Sequence, residues 1–156
     1  MFYLGIDPGF SGAWGMIDHN GKYQSCGDML NNGKHILSRY VHAEISQAID
    51  RQDVTAVLEA VHAMPKQGVS SSFKFGMAYG AAISLAERFD QHFHLVPPHQ
   101  WKKDLGLTSD KEESLIMART IWPEAPLLRK KDNGRAEALL IALWYKKKFL
   151  DGPDES

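Results

Sequence analysis

Six residues, Val54-Thr55-Ala56-Val57-Leu58-Glu59, limit the fold more than any other stretch of the chain. The run is apolar and β-branched without the alternation of a half-exposed strand, so it reads as a strand covered on both faces. Such a strand lies inside a sheet with helices above and below it, which makes this a layered α/β protein. The run also ends in a carboxylate. A charge closing a buried strand costs desolvation energy unless something compensates it.

The flanking pattern agrees with a mixed sheet. Residues 2–7 form an apolar run ended by Pro8-Gly9, and 13–17 a second strand, with His19-Asn20-Gly21 as a hairpin turn before a weaker strand over 22–26. The spacing of Ile36, Leu37, Val41, Ile45, Ala48 and Ile49 predicts a helix over 35–49. A loop over 64–70 leads to a helix over 72–89, where Gly76 and Gly80 share a face that permits close backbone packing. A short strand over 93–96 is closed by Pro97-Pro98. Ser109 and Glu112 have the form of a capping box for the next helix, with Ser109 as N-cap. Ala136, Leu139, Leu140, Leu143 and Trp144 then give the cleanest helical stripe in the chain. Three strands followed by alternating helix and strand imply one domain over 1–150, with a frayed tail over 151–156.

Composition narrows the class. At 44% hydrophobic and 24% charged, the 156 residues suit a globular domain with one core. No stretch approaches the ~18 to 20 unbroken apolar residues of a membrane span. The start, Met1-Phe2-Tyr3-Leu4, has no basic region or cleavage site of a secretory signal, so a cytoplasmic protein is expected. The single cysteine, Cys26, excludes an intramolecular disulfide and, alone, a cysteine-built zinc site. Net charge is −1, but basic residues cluster at Lys102-Lys103, Arg129-Lys130-Lys131 and Lys146-Lys147-Lys148. Local positive potential, rather than the sum, is what phosphate binding needs.

The chemically odd residues are carboxylates at the ends of apolar elements. Asp7 closes the first strand and Glu59 the central one; Glu137 lies in the first turn of the last helix, with Asp132 just upstream. Each has an ordinary alternative: a turn starter, an exposed strand end, an acid favoured at a helix N-terminus. Gathered at one point, they would repel one another and suit a hard divalent cation, Mg²⁺ or Mn²⁺. Two ions about 3.5 to 4 Å apart are the usual device for cutting a phosphodiester. No pair among the seven histidines has metal-binding helical spacing, and His92 and His94, which share a strand face, lack a third ligand. Trp14 and Trp101 read as core or shelf residues.

Five ordered segments carry a resemblance. Gly5-Ile6-Asp7-Pro8-Gly9, Leu58-Glu59-Ala60-Val61, the helix from Phe73 through Ile83, Trp101-Lys102-Lys103 with Lys111, and Arg135-Ala136-Glu137-Ala138-Leu139 resemble the RuvC family of Holliday-junction resolvases. The resemblance implies an RNase H-like fold, a five-stranded mixed sheet with its first three strands antiparallel, flanked by helices. It implies two Mg²⁺ ions (or Mn²⁺ in their place) held by Asp7, Glu59 and Glu137, with Asp132 as a fourth candidate. Lys102, Lys103 and Lys111 would contact DNA phosphates, with His62, Lys66, Arg129, Lys130 and Lys131 as further nucleic-acid contacts. The expected activity is metal-dependent cleavage of four-way or other branched DNA, leaving 5′-phosphates, by a two-fold homodimer. Three departures are visible: Gly134 occupies the position of the family's first aspartate in its last motif, His62 that of an aromatic near the branch point, and the chain is less basic overall. The alternatives are a catalytically inactive branched-DNA-binding protein of the same fold and a nuclease for RNA–DNA hybrid. An ATPase of the actin and sugar-kinase type opens similarly but needs two such domains and at least twice the length.

Overall fold

Parity along the strands sorts the hydrophobic residues into two layers. A computed structural model describes residues 1–152; the tail expected over 151–156 lies, from residue 153 onward, outside the described residues. Strands β1 (Phe2–Asp7), β2 (Ala13–Asp18) and β3 (Tyr23–Asp28) run antiparallel in sequence. Strand β4 (Val54–Glu59) pairs parallel with β1 on its other side, and β5 (His94–Val96) pairs parallel with β4. The sheet order is β3-β2-β1-β4-β5, the mixed five-stranded arrangement expected.

Helices α1 (Ser38–Ile49) and α2 (Val69–Phe89) cover one face. There Val41, Ile45, Ala78, Ala82 and Leu85 pack with Leu4, Ile6, Met16, Ala56 and Leu58. Helices α3 (Pro98–Asp104), α4 (Lys111–Ile121) and α5 (Asn133–Phe149) cover the other. Their core joins Tyr3, Ile17 and Val57 to Trp101, Leu115 and the α5 run from Leu139 to Trp144. Full burial of each Leu or Ile here contributes about 1.5–3 kcal/mol.

Four local expectations are corrected. Helix α3 was not anticipated: Pro97-Pro98 does end the strand, but Pro98 then serves as the first helical residue, a position where proline loses no hydrogen bond. The N-cap of α4 is Asp110, whose side chain accepts from the Glu112 N–H at 2.9 Å, rather than Ser109. Helix α5 is no amphipathic stripe: Gly134 and all residues from Ala136 to Trp144 are buried, because it lies between the sheet and α4. Gly76 and Gly80 face outward with nothing near them. The close backbone approach occurs instead at Gly5 and Gly15, under α5.

Candidate metal centre and nucleic-acid cleft

The same parity aims two carboxylates at one place. In β1, Leu4 and Ile6 face α1 and α2, whereas Tyr3 and Gly5 face α5; position 7 continues the odd series. In β4, Ala56 and Leu58 belong to the first layer and Val57 to the second, so Glu59 falls on the α5 side as well. Ile6 and Leu58 are in register across the parallel pair. Asp7 and Glu59 therefore close neighbouring strands side by side, at a spacing of about 4.8 Å.

Helix α5 supplies the third group. Gly5 and Gly15 are cross-strand partners, and a Cβ on either would collide with Ala138 or Leu139 of α5. The bare pair lets the helix settle onto the sheet with Glu137 one residue before the contact. Glu137 stands in the second turn, since α5 begins at Asn133. Ligand oxygens of Asp7, Glu59 and Glu137 lie within 4.8 Å of one another. Glu59 and Glu137 are buried, and Asp7 is partly exposed.

Each buried carboxylate is held. Trp101 Nε1 donates to Glu59 Oε2 at 2.8 Å. Lys102 Nζ lies 3.1 Å from Glu137 Oε1, which also accepts a longer bond from Ser114 Oγ at 3.4 Å. Even so, burial and then the charges of Glu59 and Glu137 push the Asp7 carboxyl well above the usual range, against the pull of Lys111 and Lys102. Burial also raises Glu59, only partly offset by the Trp101 bond. Three hard oxygen donors at shared-ion distance, with Asp7 and Glu59 held above the usual range, fit a divalent cation, whose charge reverses this balance.

The cluster opens into a cleft of about 530 Å³. Lys102 and Lys111 stand on one side; Lys74 of α2 stands on the other, its Nζ 4.4 Å from the centre of the Phe10 ring. A larger groove of about 1130 Å³ between α4 and α5 contains none of the three carboxylates; volume does not mark the chemistry here.

The remaining candidates are distributed differently. Asp132 is buried but does not join the cluster: it accepts from the Arg129 backbone N–H at 2.8 Å and from the Arg129 guanidinium at 2.7 Å. That pair forms a capping arrangement around the 3-10 turn Lys130–Asp132. The guanidinium of Arg129 is thus engaged within the fold. Gly134 leaves no room for the family's acid, because a Cβ there would lie 2.8 Å from the Ser11 carbonyl oxygen. Lys103, Lys130 and Lys131 are exposed outside the cleft, while exposed His62 and Lys66 lie on the 60–68 loop, whose Gln67 reaches the cleft wall. Sequence reasoning missed Lys74, Phe10, Ser114 and the role of Trp101. Only Trp101 carried a signal, a tryptophan preceding the lysine pair, since the others depend on which helix faces which loop.

No protein-family model matches the chain. It is 52% identical over 52 residues to the chloroplastic Holliday junction resolvase MOC1 of Chlamydomonas reinhardtii, a match spanning 31% of this chain and 6% of that protein. Among solved structures it is similar to Thermus thermophilus RuvC (TM-score 0.65) and to T. thermophilus RuvC in complex with Holliday junction substrate (TM-score 0.64). Both are 24% identical to it, with 92% of each chain covered. The chain has the fold of RuvC from β1 to α5.

Proposed function

We propose that the chain is a structure-selective endodeoxyribonuclease that resolves four-way or otherwise branched DNA. The observation that carries this reading is the convergence of Asp7, Glu59 and Glu137 at the floor of a lysine-walled cleft, on the fold of RuvC. These three carboxylates would hold Mg²⁺, with Mn²⁺ as a substitute and two ions per site. When bound, such ions supply an activated water and stabilise the leaving oxygen, giving 5′-phosphate and 3′-hydroxyl ends.

The chain's own residues do the rest. Trp101 fixes the orientation of Glu59 through a buried hydrogen bond. Lys102 and Lys111 favour the ionised form of Asp7 and Glu59, and with Lys74 they grip phosphates on both sides of the cut. Paired nicks require two sites, so the working unit is a two-fold homodimer. The exposed α2 residues Phe73 and Met77, at 71% and 41% exposure, support an interface there. Among the described residues no helix is long and apolar enough to cross a membrane. Action in the cytoplasm is in keeping with a single free cysteine.

The test is a labelled synthetic four-way junction incubated with and without Mg²⁺. Symmetric nicks that need the metal and vanish in Asp7→Asn support the proposal. Equal cutting of linear duplex and RNA–DNA hybrid would replace it with a general nuclease. The closed position at Gly134 favours one second reading, a protein that binds branched DNA without cutting. Tight junction binding with no product in Mg²⁺ or Mn²⁺ would establish that reading instead.

A further inference from the structure

We propose that the pocket between α1 and α2 is a second anion site, which takes a phosphate group apart from the carboxylate cleft. The pocket has a volume of about 240 Å³ and is lined by Ser38, Arg39 and His42 of α1 and by Ser84, Leu85 and Arg88 of α2. Its polar lining is two guanidinium groups, two hydroxyls and an imidazole. The carboxylates carried by the same helices, Glu44 and Glu87, are not part of it.

Three observations point to an anion. The arginines that hold the fold together are all engaged: Arg119 binds the carbonyls of Leu127 and Leu128, Arg129 binds Asp132, and Arg135 binds Asp28. Arg39 and Arg88, like the exposed Arg51 outside the pocket, form no ion pair among the described residues. Next, Arg88 is oriented rather than loose. Its Nε donates to His42 Nε2 at 2.7 Å, and the His42 ring stacks on Phe89 with centroids 5.1 Å apart. An imidazole nitrogen that accepts this bond is unprotonated, so the histidine adds no charge; it positions the arginine and leaves both terminal nitrogens as the free donor edge. Finally, the 12-residue helix α1 starts at this pocket with Leu37 as N-cap, no side-chain cap and no acidic residue in its first turn. The positive end of its dipole is therefore left for a ligand to neutralise.

The shared chemistry is a phosphate group, carried either by a DNA backbone or by a small phosphorylated compound. From Lys74 at the cleft to Arg88 is 14 residues of α2, about 21 Å of helix. A duplex arm leaving the cleft along α2 would bring a backbone phosphate to the pocket after about six nucleotide steps. That route rests on the proposed nuclease reading; the small-phosphate route does not.

The experiment compares the wild-type chain with Arg39→Gln/Arg88→Gln, and with Arg39→Gln alone, which leaves the Arg88–His42 contact intact. Metal-free protein is titrated with inorganic phosphate while backbone amide NMR shifts of Ser38, Arg39, Ser84 and Arg88 are followed. Saturable shifts at these positions, weakened at least about tenfold in the double variant, are expected, with thermal melts verifying that each variant is folded. In the second arm, four-way-junction affinity is measured against salt. If the phosphate belongs to DNA, the log–log slope becomes shallower by about one to two in the double variant, as each lost contact removes roughly 0.9. An unchanged slope with intact phosphate shifts assigns the pocket to a small phosphate compound. Absence of both effects overturns the site, whether or not the junction is cut.

Discussion

Two groups of acidic residues flank the start of α5, and they are treated in opposite ways. Asp132 is buried, which alone would raise its carboxyl, but the hydrogen bonds and charge of Arg129, with Arg135 nearby, bring it below the usual range. Asp28 is likewise gripped by Arg135 at 2.8 Å. Asp7, Glu59 and Glu137 have lysines, not arginines, as their nearby cations, and Asp7 and Glu59 stay above the usual range. One group is balanced by the chain itself. The other is left needing charge from outside, and that unmet need distinguishes a site from a structural ion pair.

The contrast is broken most forcefully at Asp7. Asp7→Asn should lower junction cleavage by at least about a hundredfold to a thousandfold and should raise the metal-free melting temperature, because it removes one of three repelling charges. A variant that is inactive but less stable without metal would contradict the unbalanced-cluster picture. Next in size, Gly134→Asp should destabilise the fold by about 1–3 kcal/mol through overpacking against the Ser11 carbonyl. It should not raise activity; a folded, faster enzyme would show that the fourth acidic position is open after all.

Trp101→Phe sharpens the comparison within the cluster. It keeps an aromatic core residue but removes the bond that lowers Glu59. Activity and metal affinity should fall about tenfold, and the acidic limb of the pH–rate profile should move to higher pH. An unshifted profile would make Trp101 a packing residue only. The smallest effect is in metal-free melting as a function of pH. Asp7, raised in the folded state, contributes stability below its unfolded value that is lost as pH rises through its folded value. Asp132, depressed when folded, contributes stability above its unfolded value that is lost on acidification through its folded value. Adding Mg²⁺ should therefore raise the melting temperature more at neutral than at acid pH, and Arg129→Gln should flatten the acid side alone.

Much of this was legible before any coordinates, for a physical reason. A strand alternates with period two, so the carboxylates of Asp7 and Glu59 could be placed once their strands were recognised as neighbours, and the register of Ile6 with Leu58 makes them adjacent. Glu137 stood out as an acid beside the apolar stripe of the last helix, and the resemblance to RuvC added Lys111 and gave the lysines at 102 and 111 their expected role. What stayed hidden depends on packing between elements remote in sequence. Asp132 resembled a ligand in spacing, but its partner is the arginine three residues back. Gly76 and Gly80 looked like contact glycines, yet only the helix seating shows that Gly5 and Gly15 fill that role. Helix α3 was masked by a proline pair that reads equally well as an end or a beginning.

The depth at which α5 rests has a consequence beyond packing. Two side chains that are only hydrogen atoms, at Gly5 and Gly15, set the height of a helix whose Glu137 must meet two strand-borne partners. A methyl group at either position would act as a shim, tilting or lifting the helix and prising one corner of the carboxylate triangle away from the other two. A carboxylate cluster could then be dispersed by an alanine that touches none of its members, so the tolerance of this site to mutation is set as much beneath its floor as upon it.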